Sequence, residues 1–185
     1  MSSEELRADA RANRDRILEV AREALTLDPA ASLNSIAKAA GVGAGTLYRH
    51  FPTRESLVLA LYRKEIASLA ALAPALLAEH SPVQAFRLWC DWLVKFGKMK
   101  YGIADIVHAS TSAQDRQEHY GPMLEAVRQM IEACESSGDV IGGTNSEDVL
   151  VLLGLLWRIP PTAGGEERVR RLLALVFRGL GMRDP

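Results

Sequence analysis

The chain has 185 residues, 48% apolar and 24% charged, with 22 Lys and Arg against 23 Asp and Glu for a formal net charge of −1. That composition is globular rather than disordered, and its charge balance carries no overall sign of a nucleic-acid partner, whose phosphates supply most non-specific affinity. The N-terminus MSSEELRADARANRDR is too charged for a signal peptide, no apolar run nears the ~20 residues that span a bilayer, and Cys90 and Cys134 join no CxxC or Cys/His cluster, so a cytoplasmic chain with two reduced, buried thiols is expected.

Almost every segment has helical periodicity. From Asn13 to Leu27, Ile17, Leu18, Ala21, Ala24 and Leu25 fall on one stripe, and Asp28-Pro29 ends the helix because the residue before proline is driven out of the α region. Ser32 is placed to cap a helix through Ala40, with Leu33, Ile36, Ala37 and Ala40 inward, and Gly41 ends it in a positive-φ turn. A second short helix is expected from Ala44 to Phe51 with Leu47 and Phe51 inward; Thr53 then caps a long helix from Arg54 to Ala73, which Pro74 breaks or kinks. Ser81-Pro82 opens a helix through about Lys98, and weaker helical stretches follow at 103–109 and 120–136. A turn over 138–145, a helix over 149–158, a loop over 160–165 and a helix over 167–180 complete the chain. The expectation is an all-α fold of about nine helices, without repeats, in two domains: residues 10–58 and residues 59–185.

The stretch Ser32 to Arg54, SLNSIAKAAGVGAGTLYRHFPTR, carries the chemistry. Helix, glycine turn and second helix is the layout that sets one helix across a DNA backbone and the next in the major groove. Ala44 and Gly45 permit close approach at the N-terminal end of the reading helix, where the helix itself attracts phosphate. Thr46, Tyr48 and His50 offer donors to phosphate oxygens, and Arg49 can pair with phosphate or with guanine O6/N7, the latter worth about 1–3 kcal/mol of discrimination. Nearby Lys38, Arg49 and Arg54 face Glu55, and Arg7, Arg11, Arg14 and Arg16 precede them with acids interleaved, so the local basic patch is modest. Taken singly, Tyr48 and His50 are equally readable as ordinary helix-surface residues. The string GVGAG follows a helix rather than a strand, which argues against a dinucleotide loop.

From about Ile17 to Leu61 the sequence resembles the tetracycline-repressor (TetR) family of bacterial transcriptional regulators, above all in SIAKAAGVGAGTLYRHF followed by Arg54-Glu55. The resemblance implies that Thr46, Tyr48, His50 and Arg54 hold phosphates, that Ala44, Gly45 and Tyr48 lie closest to bases, and that Ser32 belongs to the same DNA-facing set. Ala44 stands where the family often has lysine, and Gly43 where it often has Ser or Thr. Glycine keeps most of a serine cap's value, but Ala44 donates nothing, which shifts base reading towards Arg49, Tyr48 and the basic arm.

The same resemblance implies a C-terminal domain that binds a small effector and pairs into a homodimer through the last two helices. Val149, Leu150, Leu152, Leu153, Leu156 and Trp157, then Leu172, Leu173, Val176, Phe177 and Leu180, give those helices more apolar surface than one core stripe needs; packing within a monomer is the alternative. Twofold pairing would space two reading helices about 34–36 Å apart on a palindromic operator in double-stranded DNA. Trp89, Trp92, Phe96, Tyr101, His108, Met123 and Trp157 are the candidate walls of the effector cavity, with His108 and Tyr101 as polar anchors, although each is equally a core residue type. Ligand binding would tilt the helix that starts at Arg54 and release the operator. No cofactor is expected. His50, His80, His108 and His119 form no metal-ligand spacing, and no GxSxG or paired carboxylates suggest catalysis. The rival readings are a small-molecule-binding or protein-interaction module whose helix-turn-helix does not read DNA, and an activator in place of a repressor.

Overall fold

The structure is a computed structural model that describes residues 3–110 and 113–182. Among the described residues there are eight α-helices, one 3₁₀ turn and no strand. They are α1 (Ser3–Leu27), α2 (Leu33–Ala39), α3 (Ala44–His50), α4 (Arg54–Glu79), α5 (Pro82–Ser110), α6 (Ala113–Ser136), α7 (Ser146–Leu155), the 3₁₀ turn Leu156–Arg158, and α8 (Ala163–Gly179). The chain is all-α, as the periodicity predicts, but several ends differ.

Helix α1 starts ten residues before Asn13, so Arg11, ahead of the expected start, is also helical. Pro74 does not break α4, which runs six residues past the predicted end at Ala73. Proline forfeits one backbone donor, but Pro74 is exposed while Leu69, Ala73 and Leu76 are buried on the other face, and that packing holds the helix together. Pro122 sits inside α6 in the same way, exposed beside buried Met123. Helix α5 is one helix of 29 residues where the sequence suggests one ending near Lys98 and a separate piece at 103–109. The predicted loop over 160–165 is shorter, since Thr162 accepts a hydrogen bond from the Gly165 amide and starts α8 at Ala163.

The chain divides into two compact units: residues 1–63 with 102–110, and residues 64–101 with 111–185. In the first, Ile17, Leu18, Leu25, Ile36, Leu47, Phe51, Leu57, Leu61 and Ile103 form the core, each 2% exposed or less. In the second, Phe86, Trp89, Cys90, Leu93, Val127, Met130, Cys134 and Leu153 are fully buried. Burial pushes the thiols of both cysteines up, that of Cys134 to about 11, which makes them poor nucleophiles.

Candidate nucleic-acid interface

Helix α2 begins because Ser32, in extended conformation, accepts a hydrogen bond from the Ser35 amide at 3.1 Å. It ends in a Schellman turn: the Val42 amide donates to the Ala37 carbonyl at 3.0 Å and the Gly41 amide to that of Lys38 at 3.2 Å. Gly41 has φ +67°, which a residue with a Cβ adopts only under strain. Gly43, extended, then starts α3. Leu47 and Phe51 fasten α3 to the core, and the Arg14 guanidinium lies 5.4 Å from the centre of the Phe51 ring.

With that side locked, the opposite arc of α3 is open. Ala44, Gly45, Tyr48 and Arg49 are exposed, and Thr46 and His50 are half-buried on the flanks. A Cβ added at Gly43 or Gly45 would touch nothing within 4 Å, so these glycines serve no packing purpose inside the chain. Arg49 is folded back on its own helix: Nε donates to the Gly45 carbonyl at 3.1 Å and an NH2 group to the Thr46 hydroxyl at 3.3 Å. Both bonds are at the surface and are easily exchanged for an incoming acceptor.

Arg54 does something the sequence reading did not foresee. Its guanidinium donates to the carbonyls of Pro29 and Ala31, tying the start of α4 to the loop that delivers Ser32. Thr53 and Ser56 exchange side-chain caps beside it, each amide donating to the other's hydroxyl at 3.1–3.2 Å. Ser32 likewise spends its hydroxyl oxygen on α2. The open polar arc therefore consists of Thr46, Tyr48, Arg49 and His50, with Ser32 and Arg54 holding the frame behind it.

The residues expected to wall an effector cavity differ widely in their surroundings. Trp89 is fully buried, stacks on Phe86 and donates its indole N–H to the Leu69 carbonyl at 2.8 Å, which makes it core. Met123 is also core at 3% exposure. Trp92 and Tyr101 are exposed, the former under the Lys95 ammonium. The side chain of His108 lies outside the described residues. Phe96 meets Trp157 edge-on at 5.4 Å, and Trp157 does border a cavity, of about 190 Å³, between α5, the 3₁₀ turn and α8.

Polar groups missed in the sequence surround that cavity: Asp91, Lys98, Glu166 and Arg170. Lys98 and Glu166 pair across it at 2.7 Å, and the hydrogen bond from Lys98 holds the Glu166 carboxyl below its usual range. Gly97 is what seats the indole, since a Cβ there would stand 2.6 Å from Trp157 Cδ1. A glycine inside a helical pattern was the available signal. Lys100 lies 3.9 Å from the indole centre, and burial, with repulsion from Arg158, pulls its ammonium down to about 8. Among the described residues no group of three or more His, Cys, Asp or Glu could hold a metal, and no helix is long and apolar enough to cross a membrane.

Residues 17–61 match the family described as bacterial regulatory proteins of the tetR family, and residues 81–182 match the C-terminal domain of SbtR-like transcriptional regulators. HTH-type transcriptional regulators of Staphylococcus aureus are 31% identical over 94 residues, which is 49% of this chain. The chain spans about half the length, 51%, of those curated relatives. A solved TetR transcriptional regulator from Streptomyces coelicolor is 34% identical with a TM-score of 0.77, over 90% of this chain and 97% of that one. One from Mycobacterium vanbaalenii is 29% identical with a TM-score of 0.74, over 95% and 98%.

Proposed function

The chain belongs to the TetR family of bacterial transcriptional regulators, and on that premise we propose that it is a cytoplasmic repressor that binds a palindromic operator as a homodimer and lets go when a small molecule binds. The observation that carries the DNA reading is the open arc of α3: a helix locked by Leu47 and Phe51 whose outward glycine meets nothing and whose arginine is held only by surface bonds. Arg49 swings from Gly45 and Thr46 to a guanine edge or a phosphate, while Thr46, Tyr48 and His50 hold backbone oxygens. Ala44 and Gly45 let the duplex approach. Arg54 and Ser32 contribute by fixing the frame.

Pairing through α7 and α8 is supported by apolar side chains left uncovered. Val151, Leu152, Leu155 and Leu175 are each about half exposed, at 49–56%, beside a groove of about 550 Å³ between the two helices. Closing it against a second copy removes that surface from water, as a stable interface of roughly 800 Å² per partner requires. The cavity beside Trp157 is the effector site of this proposal. Its apolar walls and Lys98–Glu166 pair suit a small amphipathic molecule. To move the operator-bound population from 99:1 to 1:99, the effector must prefer the released state by about 5.5 kcal/mol.

Selection of bound fragments from bacterial genomic DNA, followed by titration at 50 and 200 mM salt, tests the reading. A palindromic site bound by two copies, with affinity falling steeply with salt and lost in Arg49→Ala, is the expected result. A chain that shows no preference among duplexes even at low salt overturns it. Binding that is specific but unaffected by any ligand seated beside Trp157 removes the effector part alone.

A further inference from the structure

The cavity beside Trp157 sets one flat aromatic wall next to one exchangeable ion pair. Lys98 borders it from α5, Glu166 and Arg170 from α8, and Val94, Trp157 and Val169 supply apolar wall. Phe96 and Lys100 also touch the indole but do not border the cavity, so the ring meets the cavity on a side they leave open. Lys98 follows Gly97, on which the indole is seated, so ammonium and ring start from the same turn of α5. The volume of about 190 Å³ exceeds the roughly 150 Å³ that holds a benzene ring by room for about two further heavy atoms. Lys98 already holds a carboxylate there, Glu166 Oε1 at 2.7 Å. The two side chains are 42% and 49% exposed, so the pair adds little to the fold and exchanges readily with a carboxylate from outside. Glu166 has a second cation within reach. The Lys98 hydrogen bond chiefly, and the charge of Arg170 in smaller part, hold its carboxyl below the usual range. Arg170 stands four residues on along α8, the spacing at which a glutamate pairs with a following base, and it also holds Glu167 at 2.5 Å. Lys100 and Arg158, close enough to repel each other, add further positive charge around the indole. Among the described residues bordering the cavity, Asp91 is the acid without an ion pair, seven residues and roughly 10 Å along α5 from Lys98.

Resting on the effector-site reading above, we propose that the cavity takes a small aromatic monocarboxylate, its ring against Trp157 and its carboxylate on Lys98 in place of Glu166. Glu166 then turns to Arg170, so no charge is left without a partner. The field of Asp91 sets the orientation, since it repels a carboxylate from its own end of the cavity and leaves the Lys98 end favoured. An amine of the same size meets the opposite field beside Lys98, Lys100 and Arg158, with only Asp91 to receive it. A neutral amide keeps the ring contact but loses the charge-assisted bond, which is roughly twice as strong as a neutral one. Glu166 is thus an internal occupant that the ligand displaces, and removing its charge strengthens ligand binding.

The test titrates the full chain with phenylacetate, phenylacetamide and 2-phenylethylamine by calorimetry, then repeats the phenylacetate titration on variants. Phenylacetate should bind with a Kd of about 1 mM or tighter, and the amide and the amine at least about tenfold more weakly. Lys98→Met should weaken phenylacetate about tenfold or more, whereas Glu166→Gln should tighten it about threefold. The two variants break the same ion pair, so a merely structural role for that pair would move them in the same direction. Weaker binding in both, or unchanged binding in both, overturns the placement of the carboxylate. A preference for 2-phenylethylamine that is lost in Asp91→Asn overturns the ligand class in favour of an amine. Absence of phenylacetate binding up to about 10 mM, in the parent and in Glu166→Gln alike, overturns it outright. Phenylacetate that binds as expected without weakening affinity for the selected operator removes the effector reading alone. Release of the operator by a ligand of another class seated beside Trp157 removes the carboxylate and keeps the effector site.

Discussion

In the unit that carries α3, the large apolar side chains of α2, α3 and the first half of α4 turn inward and the outward arc of α3 is polar or bare; in the other unit, α7 and α8 leave four aliphatic side chains about half exposed. The first completes its core within one copy, and its exposed groups want a polar partner. The second leaves its last two helices incompletely covered, and the missing cover is apolar. Small cost of exposure on one side and a standing cost on the other is what the proposed function asks of a surface that meets its target reversibly and of one that stays paired.

That contrast can be broken at its strongest point first. Phe51→Ala removes a ring that is 2% exposed and should cost about 3–5 kcal/mol, unfolding the α3 unit before the other. Thermal melts followed by amide exchange should show early loss of protection in α2 and α3 while α7 and α8 persist. Gly165→Ala attacks the other unit, since its Cβ would fall 1.9 Å from the Pro160 carbonyl oxygen; a loss of about 1–3 kcal/mol in denaturant titration, confined to that unit, is expected. If the Arg54 guanidinium serves the loop it bonds and not a phosphate, Arg54→Met should lower stability by about 1–2 kcal/mol and weaken operator binding with no change in its salt slope. A slope reduced by about one would show the opposite. Ser32→Ala, which deletes the α2 cap, should cost about 1 kcal/mol.

A further effect is one of pH. Lys100 is pulled down to about 8 in the folded chain, so between about pH 8 and 10.5 the unfolded chain binds the extra proton and stability rises with pH through that window. Lys100→Met, which keeps the stem against the indole, should flatten that rise relative to the parent in chemical denaturation at pH 7, 8 and 9.5.

The head of the fold was readable in its residues because each signal there is local: a serine cap, a positive-φ glycine, two apolar residues four apart. Even there, Arg54 escaped, since carbonyls 23 and 25 residues earlier are invisible to a reading by neighbours. Pro74 misled for the converse reason, as packing on one face outweighed a lost hydrogen bond on the other. The Trp157 cavity was the least legible. Its walls come from α5, the 3₁₀ turn and α8, and which of seven plausible side chains would line it depended on how those pieces meet. Only Gly97, out of place in a helix, hinted at the indole pressed on it.

The division of the chain into units has a practical sequel. The backbone leaves the first unit at residue 63, returns for residues 102–110 and departs again, so no single cut liberates the α3 unit intact. A truncation after residue 58 or 63 would strip away Ile103 and Val107, which are 1% and 5% exposed in the whole molecule. Such a fragment would present raw apolar surface and should precipitate or bind operator poorly. Limited proteolysis at the short connection between Glu79 and Pro82, by contrast, should leave both pieces associated and the reading head intact.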